Sequence, residues 1–187
     1  MKIDKMKDHN LKKSICDWII PIFIAVVVAI LINRFIVFKI EIPSESMVPT
    51  LNVGDKLFAS RVYSPENLNR GDLVVFYFEP ENKLYIKRLI GLPNDKIIIN
   101  NGIVSINDEI LIEDYVKNQE EFNGEYKVPK GKYFFLGDNR DNSSDSRYWK
   151  NPYIDSEDII GKAFIKVYPF NQIGVVDNKL KEWYNRN

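Results

Sequence analysis

The sequence predicts a mostly β protein, in which a single N-terminal transmembrane helix precedes a β-rich domain on the outer side of the membrane. The first apolar run is long enough to cross a bilayer. The remainder is a series of short runs rich in Val, Ile, Tyr and Phe, and it contains no other long segment of helical periodicity. The total of 187 residues suits one principal domain.

The N-terminal region predicts a basic tail and a membrane anchor. Residues 1–17 contain five lysines against three aspartates, so the positive-inside rule leaves them in the cytoplasm. Residues 18–38 form the predicted anchor. Its 21 residues would span about 31 Å as a helix, with Arg34 reaching the far interface. The extracytoplasmic domain is then predicted over residues 39–187.

Two other interpretations of the apolar run fit less well. A cleaved signal peptide has a shorter apolar run followed by an Ala-x-Ala-like site, whereas Phe38-Lys-Ile-Glu41 follows here. A buried core helix usually presents a polar face, and this run has none. A retained anchor is therefore the preferred interpretation.

Eight short runs bounded by Gly, Pro, Asn and Asp predict strands. Asn100-Asn-Gly102 predicts a hairpin turn between two of them. Ser64–Leu68 and Ser156–Ile160 predict short helices, and the polar, Glu/Asn-rich segment 107–130 predicts a surface excursion. The predicted strands are Val37–Ile42, Lys56–Val62, Asp72–Phe78, Leu84–Ile90, Lys96–Ile99, Ile103–Ile106, Lys132–Leu136 and Ala163–Val167.

Composition excludes several classes of function. Basic and acidic side chains number 26 each, so no bulk positive charge favours a nucleic-acid partner. The one histidine, His9, and the one cysteine, Cys16, both precede the anchor. The outer domain therefore excludes a Ser-His-Asp triad, a cysteine protease and a His-ligated zinc, and neither a metal nor a cofactor is predicted. Covalent chemistry there needs a Ser, Thr, Lys or carboxylate nucleophile and a Lys or carboxylate base.

The first candidate segment, Ile42–Leu51, follows the anchor directly. Its two prolines favour extended or turn conformations. If the segment is extended, Ser44 and Ser46 point to the same side, so one hydroxyl can attack while the other donates a hydrogen bond. The alternative is a Ser/Pro linker, although linkers rarely carry apolar residues such as Met47 and Leu51.

The second candidate segment, Lys83–Asp95, places a lysine in an apolar row. As a strand, it presents Tyr85, Lys87 and Leu89 on one face. Burial would lower the pKa of Lys87 and make a neutral amine available as a base, whereas a free lysine needs about 5 kcal/mol to be neutral at pH 7. The alternative is a surface strand with Lys87 reaching to water, and the pattern alone leaves both open.

The third candidate segment, Leu136–Arg147, mixes acids with Arg and Ser. A calcium loop counted from Asp141 fails, because its sixth residue is Ser and its twelfth is Pro. An internally hydrogen-bonded loop fits better, with Asp145 and Arg147 able to pair. Asn142-Ser-Ser also matches an N-glycosylation sequon, a match that is frequent by chance.

Together these segments resemble a known family. Their order, their spacing and the preceding anchor are similar to the ordered boxes of bacterial type I signal peptidases. The resemblance covers about residues 18–175 and ends near Tyr168-Pro-Phe-Asn-Gln-Ile-Gly174. The boxes that carry it are Pro43–Thr50, Gly71–Phe76, Tyr85–Asp95 and Gly137–Arg147.

The resemblance implies a catalytic role for four residues. Ser46 would be the nucleophile, and neutral Lys87 would be the general base. The Ser46 backbone N–H and the Ser44 hydroxyl would form the oxyanion hole. Ser143 would hydrogen-bond the Lys87 amine and orient it.

The resemblance also implies supporting and substrate-binding residues. Asp145 and Arg147 would pair and brace the site. The substrate would lie as an added strand with small side chains, usually Ala, in two pockets. The residues that map onto these apolar pockets are Ile42, Pro43, Met47, Leu51, Tyr85 and Ile86.

The predicted protein is thus a membrane-anchored serine endopeptidase of the bacterial cytoplasmic membrane that removes signal peptides after Ala-x-Ala sites. Its expected partners are preproteins that bear signal peptides and the lipid bilayer, and the sequence predicts no oligomeric state. One alternative is a Ser–Lys peptidase dedicated to a narrow substrate set, such as a pilin or matrix-protein processor. The other is a non-catalytic, membrane-tethered β-domain that binds exported polypeptides.

Overall fold

The structure is a computed structural model that describes the backbone of residues 2–176 and the side chains of residues 18–176. The chain divides into two units, with the boundary after Phe38. The side chains of the predicted cytoplasmic tail, and residues 177–187 of the predicted outer domain, lie outside the described residues.

The first unit is one α-helix, α1, over Lys2–Phe35. Its stretch Trp18–Phe35 has a mean hydropathy of 2.3 over 18 residues, and none of it is buried. By length and composition this stretch can cross a membrane, since it spans about 27 Å. The helix ends three residues before the predicted end of the anchor, because Val37 and Phe38 already belong to the first strand.

The second unit is built from short strands and single turns of 3₁₀ helix. All eight predicted strands are present within a few residues. Four further strands were not predicted, because they are too short to show alternation: three of two residues and one of four residues. The strands are β1 Val37–Glu41, β2 Lys56–Arg61, β3 Leu73–Phe78, β4 Lys83–Gly91, β5 Lys96–Asn100, β6 Ile103–Ile106, β7 Glu109–Ile110, β8 Gly124–Lys127, β9 Lys132–Leu136, β10 Ile154–Asp155, β11 Ile159–Tyr168 and β12 Gly174–Val175.

The predicted short helices are 3₁₀ turns over Pro65–Asn67 and Ser156–Asp158. The second is shorter than predicted, since Ile159 begins β11. Three further 3₁₀ turns cover Glu79–Glu81, Arg140–Asn142 and Phe170–Gln172. The predicted hairpin is confirmed: Asn100 pairs with Ile103, and both intervening residues have positive φ, as a two-residue hairpin turn requires.

The strands form two sheets. The larger follows the order β1-β2-β11-β3-β4-β9-β10, with β12 beside β11, and the smaller follows β7-β6-β5-β8. The ten-residue β11 joins the two halves of the larger sheet by pairing with both β2 and β3. Strand β4 pairs with β3 along Lys83–Arg88, whereas β9 pairs only with its second half. Within the part of the chain that the structure describes, the first half of β4 therefore has one edge without a partner strand.

Segment 107–130 is only partly the surface excursion that the sequence predicts. Most of its residues are exposed, but it supplies β7 and β8 to the smaller sheet. Leu111, Tyr115 and Val128 are buried in the cluster that also contains Ile97 of β5 and Phe134 of β9. Apolar residues in a polar stretch thus anchor the segment to the core.

The contact between the two sheets depends on a glycine. A Cβ on Gly91 would lie 2.4 Å from Ile97 Cδ1, 2.9 Å from Phe134 Cβ and 3.0 Å from Val128 Cγ2. The end of β4 can therefore pack between β5 and β9 only without a side chain at this position.

We expect Gly91→Ala to lower the free energy of unfolding by about 1–3 kcal/mol, because the added methyl overpacks this junction. Urea unfolding followed by circular dichroism measures the effect. Gly174→Ala is the matched control, since its Cβ meets nothing within 4 Å and should change the free energy by less than about 0.5 kcal/mol. Equal stability of the two variants would contradict the packing described here.

Candidate active site

The serine segment forms a turn directly after β1. Ser46 is 8% exposed, and the Ser44 and Ser46 hydroxyl oxygens lie 3.3 Å apart. The segment is not extended as expected, since the Val48 N–H donates to Glu45 O and the Leu51 N–H donates to Met47 O. The turn nevertheless brings the two hydroxyls within hydrogen-bond reach. The sequence predicted this proximity, but from an extended conformation.

Lys87 lies in the middle of β4, opposite Val74 of β3. It is 3% exposed, so the alternative of a lysine reaching to water is wrong. Burial lowers the pKa of the Lys87 amine to about 8, and nearby Arg147 adds to the lowering, while Asp145 and Asp138 oppose it. The amine also lies 5.6 Å from the centre of the Tyr85 ring. A large share of this lysine is therefore neutral near pH 8.

The loop after β9 meets the serine segment at Gly137. A Cβ on Gly137 would lie 2.6 Å from both Ser143 Cβ and Ser46 O, so only glycine allows this approach. The Asn139 N–H donates to Ser46 O at 3.1 Å, and the Asn139 amide donates to Glu45 O at 3.1 Å. Asn139, two residues after Gly137, thus holds the backbone of the serine turn through two hydrogen bonds.

Ser143 is buried beside Gly137, but its hydroxyl makes no hydrogen bond to any described residue. The predicted bond from Ser143 to the Lys87 amine is therefore not formed in this structure. A buried hydroxyl without a partner is costly, so Ser143 Oγ is ready to accept or donate when a polar group approaches.

Asp145 and Arg147 pair as the sequence predicts. Arg147 Nε and Nη2 donate to the two carboxylate oxygens of Asp145 at 2.9 and 3.0 Å. Asp145 also accepts the Gly137 N–H at 3.0 Å. The pair therefore holds the residue that contacts both Ser46 and Ser143.

A second buried ion pair was missed by the sequence analysis. Arg88 donates to the carboxylate of Asp138 from Nε at 2.8 Å and from Nη2 at 2.6 Å, and Thr50 Oγ1 donates to the same carboxylate at 2.6 Å. These contacts join β4, the loop after β9 and the serine turn. An arginine inside an apolar strand was the available signal, because a buried guanidinium requires a carboxylate partner.

A cleft of about 400 Å³ opens beside Ser44 and Ser46. Four of the six predicted pocket residues line it: Ile42, Pro43, Tyr85 and Ile86. The prediction is wrong for the other two. Met47 and Leu51 are 1% exposed and belong to the core cluster beneath the turn, together with Leu57 and Leu73. The helical hydrogen bond between them turns both side chains inward.

The two carboxylates that act on the Lys87 amine, Asp138 and Asp145, are bonded to arginines. The glutamates that line the cleft, Glu41 and Glu81, pair with lysines. Within residues 18–176, no group of three His, Cys, Asp or Glu side chains is placed to hold a metal ion. The groups that can take part in chemistry here are hydroxyls, backbone amides and one amine of lowered pKa, which suits attack by a serine with an amine as the base.

The chain is similar to several known signal peptidases. Signal peptidase I of Leptolyngbya laminosa is 38% identical over 161 residues, covering 81% of this chain and 78% of the relative. Signal peptidase I of Bacillus licheniformis is 37% identical over 183 residues, covering 91% and 98%. A crystal structure of a signal peptidase I from Enterococcus faecalis is 30% identical, with a TM-score of 0.45, and covers 51% of this chain and 96% of that chain.

A family model described as signal peptidase, peptidase S26, matches residues 15–168. This match runs from the end of the basic tail through β11 and contains the serine turn, the buried lysine and the loop after β9. The chain belongs to the signal peptidase family, peptidase S26.

Proposed function

We propose that this chain is a membrane-anchored serine endopeptidase that cleaves N-terminal signal peptides from exported preproteins. The observation that carries the proposal is the buried amine of Lys87, whose pKa is lowered to about 8, in a domain without histidine. The names of the relatives, signal peptidase I, support the choice of substrate.

Ser46 and Lys87 carry out acyl transfer in this proposal. Lys87 Nζ takes the hydroxyl proton as Ser46 Oγ attacks the carbonyl carbon of the scissile bond. The Lys87 ammonium then gives that proton to the departing amine, which leaves an acyl-enzyme and the mature protein. Lys87 next takes a proton from water, whose oxygen attacks the ester carbonyl. The ester C–O bond then breaks, Lys87 gives the proton to the departing Ser46 Oγ, and the signal peptide and free Ser46 are released.

The oxyanion accepts hydrogen bonds from the Ser46 backbone N–H and the Ser44 hydroxyl. The 3.3 Å separation of the two serine oxygens supports this role, since it places Ser44 beside the attacking atom. Removing one such donor typically costs about 3–4 kcal/mol in the barrier. Ser143, whose hydroxyl is buried without a partner, accepts a hydrogen bond from the Lys87 ammonium once the proton has moved.

The cleft suits a substrate that binds as an added strand. Residues Ile40–Pro43 form one wall, and Lys83–Ile86 of β4 form the other. Among residues 2–176, β1 stands at the end of the sheet order, and the first half of β4 pairs with β3 alone. Apart from Ile42, whose N–H and C=O bond to Asp55 and Gly54, both walls can pair with the backbone of an extended peptide. Ile42 and Ile86 limit the peptide's side chains to small apolar ones.

The location follows from α1. Its apolar stretch Trp18–Phe35 anchors the protein in the bacterial cytoplasmic membrane. The five lysines before it keep the N-terminus in the cytoplasm, so the catalytic domain lies outside. Enzyme and preprotein are then tethered to one bilayer, which raises their effective concentration.

The test is cleavage of a preprotein with an Ala-x-Ala site by the full chain in detergent. We expect Ser46→Ala and Lys87→Ala each to lower kcat by at least about a thousandfold, because each removes one member of the reacting pair. Mass spectrometry locates the cut, which should follow the second Ala. Ser105→Ala, on β6 of the other sheet, is the matched control and should keep wild-type kcat.

Cleavage that survives in the Ser46 or Lys87 variant would contradict the mechanism. A folded wild-type enzyme that leaves this preprotein intact but processes a pilin or matrix protein would favour the dedicated peptidase. A folded wild-type enzyme that binds preproteins without cleaving any would favour the non-catalytic domain.

Lys87→Arg should be as inactive as Lys87→Ala. Arginine keeps the positive charge and the length of the side chain, but it stays protonated at every pH of the assay and cannot accept the serine proton. Initial rates of preprotein cleavage measure the effect, with melting temperatures as the control for folding. Activity in the arginine variant within about tenfold of wild type would exclude Lys87 as the base.

The rate should rise with pH. The reactive form of Lys87 is the neutral amine, and burial lowers its pKa to about 8, so kcat/KM should increase about tenfold per unit below that pH and level off above it. Initial rates at low substrate concentration over roughly pH 6 to 10 give the profile. A rate that is flat or falls over this range would contradict an amine base.

A further inference from the structure

The segment 113–118 lies along the loop after β9. Lys117 and Asn139 form a parallel bridge, and the Lys117 N–H donates to Asp138 O at 3.3 Å. The Asn118 amide donates to Asn139 Oδ1 at 3.1 Å, and the Asp141 N–H donates to Asn118 O at 3.1 Å. The same loop is hydrogen-bonded to the backbone of the serine turn. The segment 113–118 therefore contacts the loop that in turn contacts the serine turn.

Glu113 is the charged residue of this segment that reaches furthest inward. Its side chain is 9% exposed and pairs with Arg140, which is 3% exposed. Arg140 Nε in turn donates to Gly137 O at 3.0 Å. The Gly137 N–H is held by Asp145 at 3.0 Å. Both polar groups of Gly137 are therefore fixed, one by Asp145 and the other by Arg140 through Glu113.

Glu113 is also linked, through Tyr115, to the buried ion pair of Arg88 and Asp138. The Tyr115 hydroxyl donates to Glu113 Oε1 at 2.5 Å, and the Tyr115 ring lies 4.0 Å from the guanidinium carbon of Arg88. Burial lowers the pKa of both guanidinium groups, but their partners raise it more: Glu113 is the main one for Arg140, whereas for Arg88 Asp138 is the main one and Glu113 adds a smaller contribution. One carboxylate from outside the candidate site thus stabilises two guanidinium groups that border it.

We propose that Glu113 is a positioning residue, which holds Arg140 on the Gly137 carbonyl and so keeps Gly137 against Ser46 and Ser143. The inference rests on the proposed function. Without the Glu113 carboxylate, Arg140 is a buried cation without a full counter-charge. Its guanidinium group then moves away from Gly137 O toward another negatively charged group. The Gly137 peptide then shifts, and with it the backbone of Ser46. Small displacements of a nucleophile reduce turnover more than binding.

The test is Glu113→Gln in the full chain, assayed for preprotein cleavage well below the melting temperature of each variant. Glutamine keeps the size of the side chain and removes the charge. We expect kcat to fall by about 10-fold to 100-fold, with KM within about twofold of wild type. Glu113→Asp keeps the charge and should recover most of kcat. Glu121→Gln removes an exposed charge from the polar region 107–130, outside the segment 113–118, and should leave kcat and KM unchanged.

Wild-type kcat in Glu113→Gln, or a loss that appears only in KM, would overturn the inference. If Glu113→Gln does not fold, Arg140→Lys tests the same link, since lysine keeps the charge that pairs with Glu113 but lacks the Nε–H that donates to Gly137 O. That variant should show the same fall in kcat, and wild-type kcat would overturn the inference. An inactive wild-type enzyme would overturn the proposed function itself, so wild type and Ser46→Ala are assayed in parallel.

Discussion

Burial of the Lys87 amine in an apolar strand face lowers its pKa, and the rest of the site depends on that lowered pKa. A free lysine requires about 5 kcal/mol to be neutral at pH 7. With a pKa lowered to about 8, the requirement falls to about 1.4 kcal/mol, because one pKa unit remains. That difference comes from desolvation, so the packing around Lys87, with Val74 opposite on β3 and Tyr85 beside it on β4, determines whether the amine can act as a base.

The surrounding ion pairs help to keep the pKa of the Lys87 amine low. A carboxylate free to approach Lys87 would stabilise the ammonium and return its pKa toward the ordinary value. Asp138 and Asp145 do raise it, but each is bonded at both oxygens to an arginine, Arg88 and Arg147 respectively. The arginines thus have two effects: they fix the loop around Gly137, and they occupy the carboxylates nearest to the amine.

Much of this architecture follows from local sequence, and the exceptions have physical causes. A short run rich in Ile and Tyr and bounded by turn residues predicted β4, and Asn100-Asn-Gly102 predicted the hairpin, because each rule depends on neighbouring residues alone. Met47 and Leu51 were assigned to the substrate pockets, but the turn after Ser46 directs them into the core. Ser143 is adjacent to the serine turn without the predicted bond to Lys87. Glu113 was hidden in a polar segment that gave no signal of burial.

The sequence by itself determined the class of protein: an apolar segment long enough to cross a membrane, a β-rich domain without histidine, and ordered boxes whose resemblance to signal peptidases implies a serine and a lysine as the reactive pair. Residue type and spacing suffice for that, since they are local properties. Only the tertiary structure decided that Lys87 is buried, that Arg88 and Arg140 have carboxylate partners, and that Gly137 contacts Ser46. Each of these depends on desolvation or on pairing between groups far apart in the chain, which no local pattern encodes.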